Sequence, residues 1–276
     1  QAPWTTPAHM TLFTSLFPSV HAVDAPTTNK QRRLADDKRL LAEILRDADY
    51  ATAAFTGSGA ISALYGFWRG FSVYDETDHD DPLRHGEDIS GVYEGASRWL
   101  VENHELPFFM FFHTYEVHAP YTHRAFESEA AEGDDDARVT ALYDGDILYA
   151  DGFIGQILSL LDGLGVSERT IIVLLSDHGE ELVARYPGKR IGHGHTVYDE
   201  LLHVPLIIVA PGRVAAGARI GEMVQIIDVM PTLLEMLNLP APPGIQGVSF
   251  AKVFRGEPLT ERHAFAEATN NGPERK

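Results

Sequence analysis

The chain has 276 residues, with 22 Lys and Arg against 40 Asp and Glu, a formal net charge of −18, and no cysteine. So acidic a balance disfavours a general binder of nucleic acid or of anionic membranes, and the missing thiols exclude disulfides, thiolate metal sites and cysteine nucleophiles. The length allows a substantial core, and no apolar run approaches the roughly 18 residues of a membrane span.

The opening residues, QAPWTTPAHM, lack the basic start and apolar block of a signal peptide. The start at Gln1 therefore reads as a cut within a longer protein, with periplasmic, other extracytoplasmic and cytoplasmic settings all open. After Thr5-Thr6-Pro7, the apolar positions Met10, Phe13 and Leu16 or Phe17 recur at helical spacing. A threonine at that helix entrance is either a plain N-cap or a hydroxyl held in the positive field of the helix. A second helix is expected over RRLADDKRLLAEILRDAD, where Leu34, Leu41, Ile44, Leu45 and Ala48 share a face, followed by a short strand, YATAAFTG. Next come a helix from about Glu87 to Glu102 and the apolar strand PFFMFFH. The acidic stretches 74–88 and 127–137 read as solvated surface loops; the second lacks EF-hand calcium spacing.

The longest expected helix covers 138–165, with Ala150, Phe153, Ile154, Ile157, Leu160, Leu161 and Leu164 on one face and Gly163 and Gly165 closing it. RTIIVLLSDHG and HVPLIIVAPG supply two more strands, and DVMPTLLEMLNLP a short helix with Asp228 as N-cap and Pro231 in its first turn. Continuous apolar strand runs fit strands buried on both faces. Alternating with helices, they predict an α/β fold with a mostly parallel central sheet flanked by helices, in one domain over 1–276.

Ligands of open α/β sheets bind beyond the carboxyl ends of the strands, and polar clusters fall there. TIIVLLS runs into Asp177-His178, a carboxylate and an imidazole able to turn toward one cation, or simply a helix cap beside a locally bonded ring. FFMFFH runs into His113, His118 and His123, where His118 before Ala-Pro-Tyr is suited to meet an anionic ester or a leaving group unless it is structural. His193 and His195 sit among glycines in GHGHTVYDELLHVP, where exposed loop histidines are the plainer reading.

Taken in order, these segments resemble the sulfatase family of the alkaline phosphatase superfamily. TTPAHMTLFTSLFPSVHAV is similar to its nucleophile segment, FFMFFHTYEVHAPY to its His-x-Pro-Tyr substrate segment, and YDGDILYADGFIGQILSLLDGLGVSERTIIVLLSDHGEEL is the most specific block. GHGHTVYDELLHVPLIIVAPG and VQIIDVMPTLLEMLNLPAPPGIQGVSF complete a likeness that covers essentially the whole chain. The resemblance implies a three-layer sandwich with Thr5 as nucleophile and Thr5, Asp177 and His178 as ligands of a divalent cation (Ca, Mn, Mg or Zn). It implies catalytic roles for His118 and His193 and substrate binding by His9 and His195. The substrate it implies is a sulfate or phosphate ester, of a small molecule or of a glycan or lipid.

This sequence departs from the family pattern. Threonine cannot yield the formylglycine aldehyde made from cysteine or serine, His9 stands at the family's arginine, and TGSGAIS replaces a Lys-x-His segment. The upstream strand that carries paired metal-binding aspartates and the C-terminal end of the domain are expected to lie outside the chain. Three readings stay open: a metal-dependent ester hydrolase with a threonine nucleophile, a phosphoglycerol-type transferase acting on a glycan or lipid, and an inactive binding protein of the same fold.

Overall fold

The computed structural model describes residues 1–23, 33–76, 89–130, 133–183 and 192–268, together with the backbone of 274–275. Strand β1 (Ala51–Thr56) is the centre of a three-stranded parallel sheet, with β2 (Val73–Glu76) on one side and β3 (Phe108–Phe112) on the other. Side chains alternate across that sheet, as the pleat requires. Ala54, Phe109 and Phe111 join a core with Met10 and Phe13 of α1 (Thr5–Thr14), Leu41 and Leu45 of α3 (Leu41–Asp47), and Met230 and Leu234 of α7 (Val229–Met236). Ala53, Phe55, Met110 and Phe112 face the other way, onto Val92 and Ala96 of α4 (Ile89–Asn103) and Ile157 of α5 (Asp135–Gly163). Helices cover both faces of the parallel sheet, the layered α/β arrangement expected from the alternating elements.

The short helix α2 (Pro18–His21) folds back on α1. Its His21 is buried, accepts a hydrogen bond from the Val23 N–H at Nδ1 (3.0 Å), and contacts the Thr11 hydroxyl through Nε2 (3.2 Å). Helix α1 is buried at every position, which suits a helix enclosed by the core rather than one with a solvent face.

The last two strands depart from expectation. β4 (Ile172–Leu175) and β5 (Leu206–Val209) pair antiparallel. Among the described residues the chain between them forms only the four-residue helix α6 (Asp199–Leu202), whereas a parallel return needs a crossover of a dozen residues or more, usually a long helix. Ile207 and Val209 lie exposed on one face of β5, so this strand alternates instead of being buried on both sides.

The expected helix over RRLADDKRLLAEILRDAD is shorter in the structure. Residues 33–40 form turns, and Arg69 takes the backbone carbonyls there: Nη1 donates to Ala35 (3.1 Å) and Nη2 to Lys38 (2.7 Å). Helix α3 starts only at Leu41, where Glu43 accepts the Leu40 N–H at 2.9 Å. Tyr74–Glu76 are not loop either; they pair with Ala54–Thr56 as β2, while 77–88 lie outside the described residues. Of the second acidic stretch, 131–132 are also outside, and Asp135 already belongs to α5, capped by Asp134 accepting from Ala137 N–H. Asp228 occupies the cap position of α7 without capping it. Its carboxylate instead accepts from Gln225 N–H (2.8 Å) and Val248 N–H (2.9 Å) and pairs with Arg262.

Candidate active site

The carboxyl ends of β3 and β4 and the start of α1 converge. Helix α1 has Trp4 at its cap position and no side-chain cap, so the Thr5 hydroxyl, at the first helical residue, is not used to cap the helix. It lies 3.2 Å from His178 Nε2. His178 Nδ1 is 2.7 Å from its neighbour's carbonyl, Gly179 O, so Nδ1 carries a proton and Nε2 is placed to accept the Thr5 O–H. The adjacent Thr6 hydroxyl donates to Ala60 O at 2.6 Å and is turned toward the TGSGAIS segment instead.

Asp177 Oδ2 stands 3.5 Å from His178 Nε2 and 3.4 Å from His9 Nδ1, yet it is buried without a hydrogen bond. Burial alone raises the Asp177 pKa. Neighbouring His178, His9 and His113 and the His178 backbone N–H outweigh it and hold the carboxyl at about 2. Gly179 lets the backbone of the following turn approach closely. Its N–H donates to Leu201 O at 3.0 Å, and a Cβ there would stand 1.9 Å from Glu200 O.

An arc of rings borders this centre. His9 meets His113 with centroids 4.9 Å apart, His113 meets Tyr115 at 4.7 Å, and Tyr115 meets His118 at 6.0 Å. His118 meets His193 at 5.2 Å, and His193 meets His178 at 4.3 Å. His9 Nδ1 donates to Thr5 O at 3.0 Å, so the ring braces the backbone that carries the hydroxyl. Burial pushes His9 below its ordinary value and His113 down to about 3, and it lowers His118 as well. These three rings are therefore neutral near pH 7.

The loop carrying His118 is pinned to α5. The carboxylate of Asp146, itself buried, accepts from Thr122 N–H (3.1 Å) and His123 N–H (2.9 Å). His123 stacks on Tyr149 with centroids 3.9 Å apart and contacts Glu116 at 2.7 Å. Gly145 makes the contact close, since a Cβ there would stand 2.0 Å from His123 O.

On the far side, Glu181 and Gly192 form an antiparallel bridge that hangs the GHGH segment beside β4. Glu180 Oε2 then meets His193 Nδ1 at 3.0 Å, and Glu181 Oε2 meets His195 Nε2 at 3.5 Å. Glu180, Glu181, Thr140, Leu182, Val183 and Glu200 line a cavity of about 360 Å³.

Of the residues singled out from sequence, Thr5, His9, His118, Asp177, His178 and His193 thus lie in one cluster. His195 sits one step outward, with its Nδ1 on His193 O at 3.1 Å and its Nε2 toward Glu181. Sequence reasoning assigned no role to His113 or Glu180. The first sits immediately after an apolar strand, and the second immediately after Asp-His-Gly; those positions were the available signals.

A cation would fit one side of this cluster. Asp177 Oδ2 is an orphaned buried oxygen, and the Thr5 hydroxyl and an imidazole nitrogen stand beside it, a hard and borderline donor set. Among the described residues no three His, Asp or Glu side chains gather closely enough to hold a metal by themselves.

The family model described as Sulfatase matches residues 1–239. Arylsulfatase K of Xenopus laevis is 36% identical over 100 residues, 36% of this chain and 18% of that protein. A solved 2-O GAG sulfatase superposes with a TM-score of 0.73 at 17% identity, over 96% of this chain and 67% of its own. The phosphonate monoester hydrolase of Silicibacter pomeroyi superposes with a TM-score of 0.72 at 20% identity, over 96% of this chain and 70% of its own. The stretch matched in the curated relative is about a fifth of that protein's length.

Proposed function

The chain belongs to the sulfatase family, and from that premise we propose that it cleaves esters of sulfuric or phosphoric acid with the Thr5 hydroxyl as nucleophile. The observation that carries the reading is the Thr5 hydroxyl, buried and 3.2 Å from His178 Nε2, beside the orphaned Asp177 Oδ2. Thr5 Oγ1 bonds to the central phosphorus or sulfur, its proton passes to a neighbouring base, and the ester oxygen departs with its alcohol. Water then cleaves the Thr5 ester and restores the hydroxyl.

Asp177, His178 and Thr5 would hold a divalent cation, which lowers the hydroxyl pKa and offsets the charge of the ester oxygens. Such a cation also answers an electrostatic problem, because a chain of net charge −18 otherwise repels an anionic ester. The unmodified threonine directs the reading toward phosphorus: the family's aldehyde cannot form from it, while a threonine alkoxide attacks phosphorus directly.

The test is turnover of aryl phosphate and aryl sulfate esters by the full-length protein, with and without Thr5→Ala. Loss to background in the folded variant, with about one divalent cation per chain in the wild type by elemental analysis, supports the reading. Undiminished turnover removes Thr5 from the mechanism.

A further inference from the structure

Two adjacent threonines open α1, both buried, and their hydroxyls go different ways. Thr5 faces His178, whereas the Thr6 hydroxyl donates to Ala60 O at 2.6 Å. Consecutive helical side chains diverge by about 100°. Fixing the direction of Thr6 therefore fixes that of Thr5 for as long as the turn between them stays helical.

Ala60 is gripped from a second side. Its N–H donates to the Tyr115 hydroxyl at 2.9 Å, and the Tyr115 ring in turn lies 6.0 Å from that of His118. One residue of the TGSGAIS segment thus takes Thr6 at its carbonyl and Tyr115 at its N–H. It joins the helix that carries Thr5 to the loop that carries His118. The segment around it is stiff. Ser58 holds φ at +60° and ψ at −137°, a conformation that a residue with a side chain keeps only where its surroundings over-determine it. They do so here: Ser58 N–H donates to Thr56 Oγ1 (3.3 Å) and Ser58 Oγ to Glu76 Oε1 (3.2 Å), which also accepts Ala63 N–H (3.0 Å). No residue of TGSGAIS carries a charge. What the segment offers the site is a fixed backbone, and Ala60 is where Thr6 and Tyr115 take hold of it.

We propose that Thr6 is a positioning residue that selects which of the two threonines attacks; this rests on the ester-cleavage reading above, with Thr5 as nucleophile. The bond from Thr6 to Ala60, itself held by Tyr115, sets the roll of the first turn of α1 and keeps the Thr5 hydroxyl on the His178 side. Thr6 and Tyr115 act on the reaction through Ala60.

The test uses the full-length protein loaded with divalent cation, with 4-nitrophenyl phosphate and 4-nitrophenyl sulfate as probes. Thr6→Val keeps the side-chain volume and removes the hydroxyl. It should lower kcat by ~10- to 100-fold, the scale of a misplacement of about 1 Å, with KM within ~3-fold of wild type. Thr6→Ser keeps the hydroxyl and should hold kcat within ~3-fold of wild type. Tyr115→Phe keeps the ring and should lower kcat by ~3- to 10-fold, and its combination with Thr6→Val should lose no more than Thr6→Val alone. An unchanged kcat in Thr6→Val, an equal loss in Thr6→Ser, or additive losses in the double variant overturn the proposal. Crystal structures of wild type and Thr6→Val read the same point without turnover. The Thr5 hydroxyl should move by at least ~1 Å, and a hydroxyl still in its wild-type place overturns the proposal. If Thr6→Val does not fold, Tyr115→Phe carries both readouts. A wild-type protein that turns over neither ester overturns the ester-cleavage reading, and the crystal structures then decide the positioning on their own.

Discussion

Acidification should loosen the fold through His21. The Val23 N–H donates to its Nδ1, so Nδ1 must stay unprotonated, and burial lowers the pKa from 6.5 in the free side chain to about 3. The folded pKa lies below the unfolded one, so the unfolded chain binds the extra proton first. Stability from this group is present above about pH 6.5 and falls as pH drops toward 3. A shift of this size corresponds to about 5 kcal/mol when complete, with about 2 kcal/mol gone by pH 5 and about 3 kcal/mol by pH 4. Other buried groups titrate as well, so the clean quantity is a difference. Urea unfolding of wild type and His21→Leu would be followed at pH 7, 6, 5 and 4. The variant loses the hydrogen bonds to Val23 and Thr11 at every pH, a constant cost, but has nothing to protonate. The advantage of wild type over variant should shrink by about 2 kcal/mol between pH 7 and 5. An advantage flat with pH would refute the argument and mean that the ring tolerates a second proton where it sits.

Gly145→Ala should force a Cβ onto His123 O, which stands 2.0 Å from its ideal position. The strain should cost about 1 to 3 kcal/mol in chemical denaturation, and turnover should fall through the displaced His118 loop; a fully stable, fully active variant would contradict the pinning of that loop to α5. Arg262→Met leaves the buried Asp228 carboxylate with only its two backbone donors. Because Arg262 is partly exposed, the expected loss is about 2 to 3 kcal/mol, below the range for a fully buried pair, read as a lower Tm by calorimetry.

The sequence made the layered fold legible because apolar runs and helical periodicity are local signals. They located β1, β3, β4, β5 and α5 to within a few residues. Strand direction was not legible: β5 carries the same apolar run whether it returns parallel or antiparallel, and the length of helix between the strands decides. The early end of α3 was hidden for another reason. Leu34 keeps helical spacing with Leu41 and Leu45, but Arg69, far along the chain, claims the carbonyls that a helix over 33–40 would use. At the site, the strand-end rule brought Asp177, His178, His118 and His193 to notice as separate short segments, and the helix entrance brought Thr5. What no segment contains is which partner each ring faces. Glu180 follows Asp-His-Gly as any polar residue might, and only the bridge to Gly192 turns it onto His193. Likewise His113 gave no sign that it would lie against His9.

Helix α1 is enclosed on every side, whereas the segments bearing His118 and His193 are loops clamped at a few points. Local opening follows that division. Opening of such loops costs less than opening of the enclosed helix, so the hydroxyl of Thr5 is among the last groups to move as the fold loosens. As the nucleophile proposed above, Thr5 would share its fate with global stability, while changes confined to the loops would leave it in place. Any core change that shifts Met10 or Phe13 reaches Thr5 along the helix axis, although both side chains lie in the core.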